Sequence, residues 1–117
     1  MRKIYVALLA LAILLAAGCS AAQSDTIGIR GEVTSINITG DNVVLLVEGE
    51  VQEDTMYDKA SVTIKPETKI IRQKDGKDTA ANLEDIKLFD KVEVVFEGPI
   101  AESYPVQGKA KLIRIMS

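Results

Sequence analysis

The chain contains two kinds of hydrophobic pattern. Residues Ile4–Ala17 form one unbroken apolar run after Arg2 and Lys3, whereas from Ile27 onward apolar and polar residues alternate with a period of two. An alternation of this kind, rich in β-branched residues, is typical of half-buried β-strands. The sequence therefore predicts an apolar leader followed by an all-β domain.

The first predicted strand changes its apolar face part of the way along. Apolar residues keep one parity up to Val33, and Ile36 and Ile38 take the other. A bulge or a bend produces such a switch, and we place it at Gly31 or Ser35. A long bent first strand is what a small closed barrel needs to pass from one half of its sheet to the other.

Turn residues and breaks in the alternation divide the rest of the domain. Thr39–Asn42 and the Asp75-Gly76 pair are turn signals, and Pro66 interrupts a strand because it lacks a backbone donor. In chain order the further elements are predicted at Val43–Val51, Ala60–Lys65 with a continuation over Thr68–Arg72, a short helix over Asn82–Ile86, Val92–Glu97 and Lys109–Met116.

The order strand, strand, strand, short helix, strand, strand matches that of the OB-fold, a five-stranded Greek-key barrel. A small β-sandwich has the same order. We favour the barrel because both end strands change face, the last one between Leu112 and Ile113. The prediction is an all-β, OB-fold-like small barrel of five strands with one short helix, over residues 27–117.

The leader ends in Leu14-Leu15-Ala16-Ala17-Gly18-Cys19. A charged start, an apolar core and small residues before a cut site describe a secretory signal. The segment resembles the lipobox of bacterial lipoproteins, which implies cleavage before Cys19 and a lipid on its thiol. An uncleaved membrane span is the alternative, but it needs about 17 to 25 apolar residues. We expect a signal peptide over 1–18, a flexible tether over 19–26, and a lipid-anchored protein on the extracytoplasmic face of the cell membrane.

Composition narrows the chemistry. The chain has no His, and its single Cys is Cys19. Without His there is no Ser-His-Asp triad and no imidazole metal site, and a lipidated Cys19 is unavailable as nucleophile or disulfide partner. The net charge of −3 becomes more negative once Arg2 and Lys3 are removed, which does not fit nucleic-acid binding. We therefore expect no enzymatic activity, no cofactor, no metal and no nucleic-acid partner.

Two charged clusters offer weaker possibilities. Five carboxylates lie close together at Glu48, Glu50, Glu53, Asp54 and Asp58. They could bind calcium weakly, but they lack the Asp-x-Asp-x-Asp-Gly spacing, so we expect a solvated acidic loop. Five basic residues lie at Lys65, Lys69, Arg72, Lys74 and Lys77. They could meet anionic lipid headgroups, but the acidic residues between them favour an ordinary mixed surface.

The segment between the last two predicted strands, Glu97–Gly108, is too long for a tight hairpin and is predicted to be an ordered loop or a twisted extension of the strands. It is the best place for a binding role. In OB-folds the loops after strands one and four border the ligand-binding face. The candidate binding residues are Glu102, Ser103, Tyr104 and Gln107, with Tyr104 offering an aromatic surface to a protein, a peptide or a glycan. The alternative is that Tyr104 only pins the loop against the barrel.

Three segments, Thr68–Ile70, Leu83–Val94 and Glu102–Gly108, resemble the YobA-like lipoproteins of Gram-positive bacteria. That family is a domain of unknown function, so the resemblance implies an exported lipoprotein and assigns no catalytic residue. The chain departs from the family at the turn before the fourth strand, which often carries Gly there and has Phe89-Asp90 here. The predicted function is a membrane-anchored binding module, and the alternative is a structural or accessory envelope protein that caps or inhibits a partner.

Overall fold

The computed structural model describes residues 26–116, most of which lie in strands. The elements are β1 (Ile29–Thr39), β2 (Asn42–Glu48), β3 (Lys59–Ile64), β4 (Lys69–Lys74), β5 (Lys77–Ala80), a 3-10 helix (Leu83–Asp85), β6 (Lys91–Ala101) and β7 (Val106–Met116). The predicted all-β class is confirmed. The predicted signal peptide and the lipidation residue Cys19 lie outside the described residues.

Five of the strands close into a ring. Antiparallel pairing joins β1 to β2, β2 to β3, β1 to β6 and β6 to β7, and a parallel pairing of β3 with β7 completes the circuit. The helix precedes the fourth strand of the ring, as the OB-fold-like prediction requires. The parallel pairing is possible because a long connection separates β3 from β7, whereas each antiparallel neighbour in sequence needs only a turn or a loop.

Two further strands, which the predicted order of five strands did not include, lie outside the ring. The predicted continuation of the third strand is the separate strand β4, which pairs in parallel with β7, and β5 pairs antiparallel with β4. The turn between them has positive φ at Asp75 (53°) and Gly76 (76°), which is the type I′ geometry that an Asp-Gly pair favours. β5 carries four exposed residues and no apolar alternation, so sequence pattern alone does not reveal it.

The break between β3 and β4 is bridged by a side chain. The Thr68 hydroxyl accepts a hydrogen bond from the Lys65 backbone N–H (2.9 Å) and donates one to the carbonyl oxygen of Ala110 (2.7 Å). Pro66 cannot donate to the ladder. Thr68 therefore keeps the interrupted edge attached to β7, so that β3 and β4 follow the same strand one after the other.

The predicted bend in β1 lies where the pairing with β2 shifts register, between Val33 and Ser35. Gly31, the other candidate, has a different role: its α-carbon lies so close to the backbone of β2 that a Cβ there would overlap the carbonyl group of Glu48. The bulge moves the apolar face, so Val33 is fully buried in the ring and Ile36 packs against the same core from the other half of the strand.

Aliphatic side chains fill the interior of the ring. The largest fully buried residues are Ile29, Val33, Leu45, Val47, Val62, Val92, Val94, Ile113 and Ile115. The aromatic rings lie at its margin, where Tyr57 contacts Phe96 edge to face with centroids 6.1 Å apart. Among residues 26–116 no helix is long and apolar enough to cross a membrane.

Candidate functional site

The segment between the last two predicted strands is mostly an extension of those strands. β6 continues to Ala101 and β7 begins at Val106, which leaves the turn Glu102–Pro105. The strands extend because pairing resumes after an irregularity beyond Glu97, with Ala101 opposite Gln107. Gln107 is therefore a strand residue. Of the two predicted forms of this segment, the extension of the strands is the one found, and only Glu102–Pro105 form a turn.

The turn is organised by its own polar groups. The Ser103 hydroxyl donates to the carbonyl oxygen of Pro105 (2.9 Å), and the side-chain amide of Gln107 donates to the Ser103 hydroxyl (3.4 Å). Glu102 is exposed beside them. Of the four predicted binding residues, the structure thus brings Ser103 and Gln107 together, and these two side chains shape the turn that presents Tyr104.

The Tyr104 side chain contacts the end of the loop between β2 and β3 and the start of β3. Its hydroxyl donates to the Asp58 carboxylate (3.3 Å), and the Lys59 ammonium lies 5.9 Å from the centre of its ring. A cation over an aromatic face at an exposed site contributes about 0.5 to 1 kcal/mol. The ring remains 71% exposed. Tyr104 is therefore held in place and still offers most of its surface to solvent.

Tyr104 forms one wall of an open cleft of about 540 Å³. The other walls come from the end of β2, the β2–β3 loop and the start of β3. The lining residues are Glu48, Gly49, Glu50, Val51, Asp58, Lys59 and Tyr104. The predicted end of the second strand at Val51 was wrong, because β2 ends at Glu48 and the Gly49 N–H donates to the Asp58 carbonyl oxygen (2.9 Å), which closes the loop.

The charge within the cleft is fixed by local hydrogen bonds. The Thr34 hydroxyl donates to Glu48 Oε2 (2.6 Å), and Lys59 Nζ lies 3.6 Å from Glu48 Oε1. The Thr34 hydrogen bond, followed by the attraction of Lys59, lowers the pKa of the Glu48 carboxyl group. Glu48 is thus an anion at neutral pH, in contact with the ammonium group that faces Tyr104.

Arg30 of β1 connects the β2–β3 loop to the ring of strands. Its guanidinium donates to both oxygens of Asp54 (3.0 and 2.7 Å) and also to the side chain of Gln52. The hydrogen bond from Arg30 lowers the pKa of the Asp54 carboxyl group, and the Asp54 hydrogen bond is the largest cause that raises the pKa of Arg30. The loop that lines the cleft is therefore held to β1 by the ion pair between Arg30 and Asp54.

The same arginine belongs to a row of charges on the outer face of the sheet. Glu93 on β6 is only 6% exposed; it accepts from Arg30 Nε (2.6 Å) and from Arg114 (2.8 Å). Arg114 also lies 3.5 Å from Asp78 of β5. The hydrogen bond from Arg114 to Glu93 is the largest cause of the raised pKa of Arg114. Sequence reasoning missed this row, because the three residues become neighbours only through the pairing of β1, β6 and β7.

The five carboxylates of the acidic cluster are not gathered at one point. Glu48 contacts Thr34 and Lys59. Asp54 contacts Arg30, and Asp58 contacts Tyr104. Within the described part of the chain, no group of three or more acidic, His or Cys side chains is placed to hold a metal ion.

Fold and cleft together describe an all-β domain with a closed ring of five strands and an aromatic side chain over an open cleft at one end. The chain belongs to the family described as "Protein of unknown function (DUF3221)", whose model matches residues 31–117 and so includes every residue that lines the cleft. Neither the search of curated proteins nor the search of solved structures finds a match.

Proposed function

We propose that the chain is a lipoprotein of the YobA-like type, held on the extracytoplasmic face of the cell membrane by a lipid on Cys19, and that its domain is a small non-catalytic binding module. The anchor rests on the sequence Leu14–Cys19, because Cys19 lies outside the described residues. The binding role rests on the cleft beside Tyr104.

The entry point of the chain supports a cleft that faces the membrane. The carbonyl oxygen of Gly28 accepts hydrogen bonds from the N–H groups of Met56 and Tyr57, at 2.9 and 3.0 Å, in the loop that lines the cleft. The tether proposed for residues 20–26 spans at most about 25 Å at roughly 3.3 to 3.6 Å per residue. The ligand would therefore be met close to the membrane surface.

The observation that carries the proposal is the 71% exposed ring of Tyr104 on the wall of a concave cleft that also holds carboxylates and an ammonium group. Tyrosine combines a large apolar face with a polar tip, and it is enriched among residues that dominate binding energy. A protein surface, a peptide or a glycan fits such a site. The acidic net charge argues against nucleic acid. The exposed aromatic ring at the rim of this open cleft favours a binding module over the alternative of a structural or accessory envelope protein that caps or inhibits a partner.

The anchor is tested by the mass and the partitioning of the protein made in its own membrane. We expect the mature chain to begin at Cys19 with a mass increase that matches a diacylglyceryl group, and to enter the detergent phase. Cys19→Ala should abolish both. A membrane-bound protein that retains Met1 would contradict the proposal and would indicate an uncleaved span.

The binding role is tested by capture from detergent-solubilised cell envelope and by co-sedimentation with purified peptidoglycan. We expect Tyr104→Ala to reduce retention of a bound component, and Tyr104→Phe, which keeps the ring and loses the bond to Asp58, to preserve most of it. Phe89→Ala is the matched control, because Phe89 is also 71% exposed and does not line the cleft. Equal retention by the two alanine variants would refute a role for the cleft.

A further inference from the structure

One edge of β1 is left without a neighbouring strand. β1 pairs with β2 as far as Thr39, but with β6 only up to Glu32. The segment before β6 covers one more residue, because the Val33 N–H donates to the Asp90 carbonyl oxygen (3.0 Å) and the Phe89 N–H donates to the Val33 carbonyl oxygen (2.7 Å). Within residues 26–116 no strand pairs with the outer edge of residues 35–39.

The backbone of this edge offers hydrogen-bonding groups to the outside. Thr39 lies opposite Asn42 across a two-residue turn, with Gly40 at φ 60°, so these two residues close the hairpin. In antiparallel pairs every second residue bonds to the partner strand and the residues between them direct their N–H and C=O groups away. Ile36 and Ile38 are the residues that present these groups to the open side.

The side chains of the same two residues line an apolar groove of about 400 Å³. Val43 and Leu45 of β2 also line it, together with Leu83 of the 3-10 helix and Ile86 directly after the helix. The groove remains open because the helix is only three residues long and does not cover this end of the ring. Ile38 is 72% exposed, and an exposed strand edge that carries apolar side chains is open to pairing with another chain.

We propose that this edge and groove bind an extended peptide segment of a partner protein, which adds to β1 as a further strand. The outward N–H and C=O groups select an extended backbone, and the groove selects apolar side chains at alternate positions. Glu84 is the one charged residue that lines the groove, and Asp41 lies in the turn at the end of the edge. We therefore expect the peptide to carry a basic residue beside its apolar positions, where it can pair with these carboxylates.

A second copy of this chain fits the edge less well. Five residues of strand extend over about 17 Å, whereas a stable dimer buries about 800 Å² on each partner. The edge is also separate from the cleft beside Tyr104, because the groove lies at the Val43 end of β2 and the cleft at its Glu48 end. Binding at the two places can therefore be tested independently.

The test uses the full lipidated chain, labelled with ¹⁵N in detergent micelles, and the synthetic peptide acetyl-Lys-Val-Thr-Val-Thr-Val-Lys-amide at up to about 1 mM. The control peptide carries N-methyl groups on its valines, which removes backbone donors and keeps the side chains. The protein variants are Ile38→Pro, which removes one outward N–H, and Val51→Asp, which alters an exposed apolar residue that lines the cleft instead.

We expect the unmodified peptide to shift the amide signals of Ile36 and Ile38 and to slow their hydrogen exchange. N-methylation or Ile38→Pro should weaken the binding by about tenfold or more, as the loss of main-chain hydrogen bonds requires, and Val51→Asp should leave it unchanged. Three results would overturn the proposal: no shifts at the highest peptide concentration, equal shifts with the N-methylated peptide, or protection of the edge amides that rises with protein concentration alone, which would assign the edge to a second copy.

Discussion

Replacing Glu93 by leucine should destabilise the domain strongly. Glu93 is 6% exposed and is the acceptor shared by Arg30 and Arg114, so its removal leaves two guanidinium groups facing an apolar side chain. Removing one partner of a buried ion pair lowers the free energy of unfolding by about 3 to 5 kcal/mol. The arginines keep their contacts with Asp54 and Asp78 and are 18% and 23% exposed, which places the expected loss at the lower end, about 3 kcal/mol.

The assay is urea and thermal unfolding followed by circular dichroism, on the chain from residue 19 with Cys19→Ser. A loss of about 3 kcal/mol lowers the melting temperature of a domain of this size by roughly 12 to 24 °C. Glu97→Leu is the control, because Glu97 lies on the same strand and is exposed. Its effect should stay within about 0.5 kcal/mol.

A triple variant separates the ion network from simple packing. With Arg30→Leu, Glu93→Leu and Arg114→Leu together, the two carboxylates that lose an arginine partner, Asp54 and Asp78, are 57% and 44% exposed and remain hydrated. Apolar replacements of whole buried networks are often neutral. We expect the triple variant to be more stable than Glu93→Leu alone. If Glu93→Leu unfolds within about 0.5 kcal/mol of the parent, the row does not stabilise the sheet and the reasoning is refuted.

Three further changes test separate parts of the structure. Gly31→Ala should lower the free energy of unfolding by about 1 to 3 kcal/mol in a urea titration, because the added Cβ overlaps the backbone of β2; an unchanged value would contradict this close approach. Thr68→Val removes two hydrogen bonds and should cost about 1 to 2 kcal/mol, whereas Thr79→Val, at an exposed site, should cost less. The folded-state pKa values of Glu48 and Asp54 are lowered, so their stabilising contribution is complete above about pH 5 and is lost as the pH falls through those values. The urea midpoint should therefore be lower at about pH 3 than at about pH 7, and equal midpoints would count against these contacts.

Local signals in the sequence were enough to predict the all-β class and most of the strands. The alternation of apolar residues predicts the strands, and the face switch around Val33 and Ile36 predicts the bend that the register shift confirms. The short helix begins after the predicted residue Asn82, and the Asn82 N–H donates to the Asp85 carboxylate at 2.8 Å. At Phe89-Asp90 the chain departs from the family pattern, which often has Gly in this turn. The backbone shows the consequence, because Phe89 adopts a positive φ of 69° that a glycine would take without strain.

Contacts between distant residues could not be predicted in the same way. The Tyr104 hydroxyl meets Asp58 across 46 positions of the sequence, and their proximity depends on the parallel pairing of β3 with β7. The burial of Glu93 depends on the register of three strands, whereas alternation alone places it on a solvent face. The sequence also left open whether the segment before Tyr104 is a loop or an extension of the strands, because Gly98 and Pro99 are typical turn residues and yet β6 continues through them.

The central claim is that a membrane-anchored domain recognises its ligand at the cleft beside Tyr104, and site-specific photocrosslinking in intact cells tests it most directly. We expect p-benzoylphenylalanine in place of Tyr104 to give a discrete crosslinked product in the membrane fraction, which disappears with Cys19→Ala because the domain is no longer held at the membrane. The same probe in place of Phe89, which is equally exposed, should give no such product. A product of the same mass and yield from both positions, or none from position 104, would contradict the account.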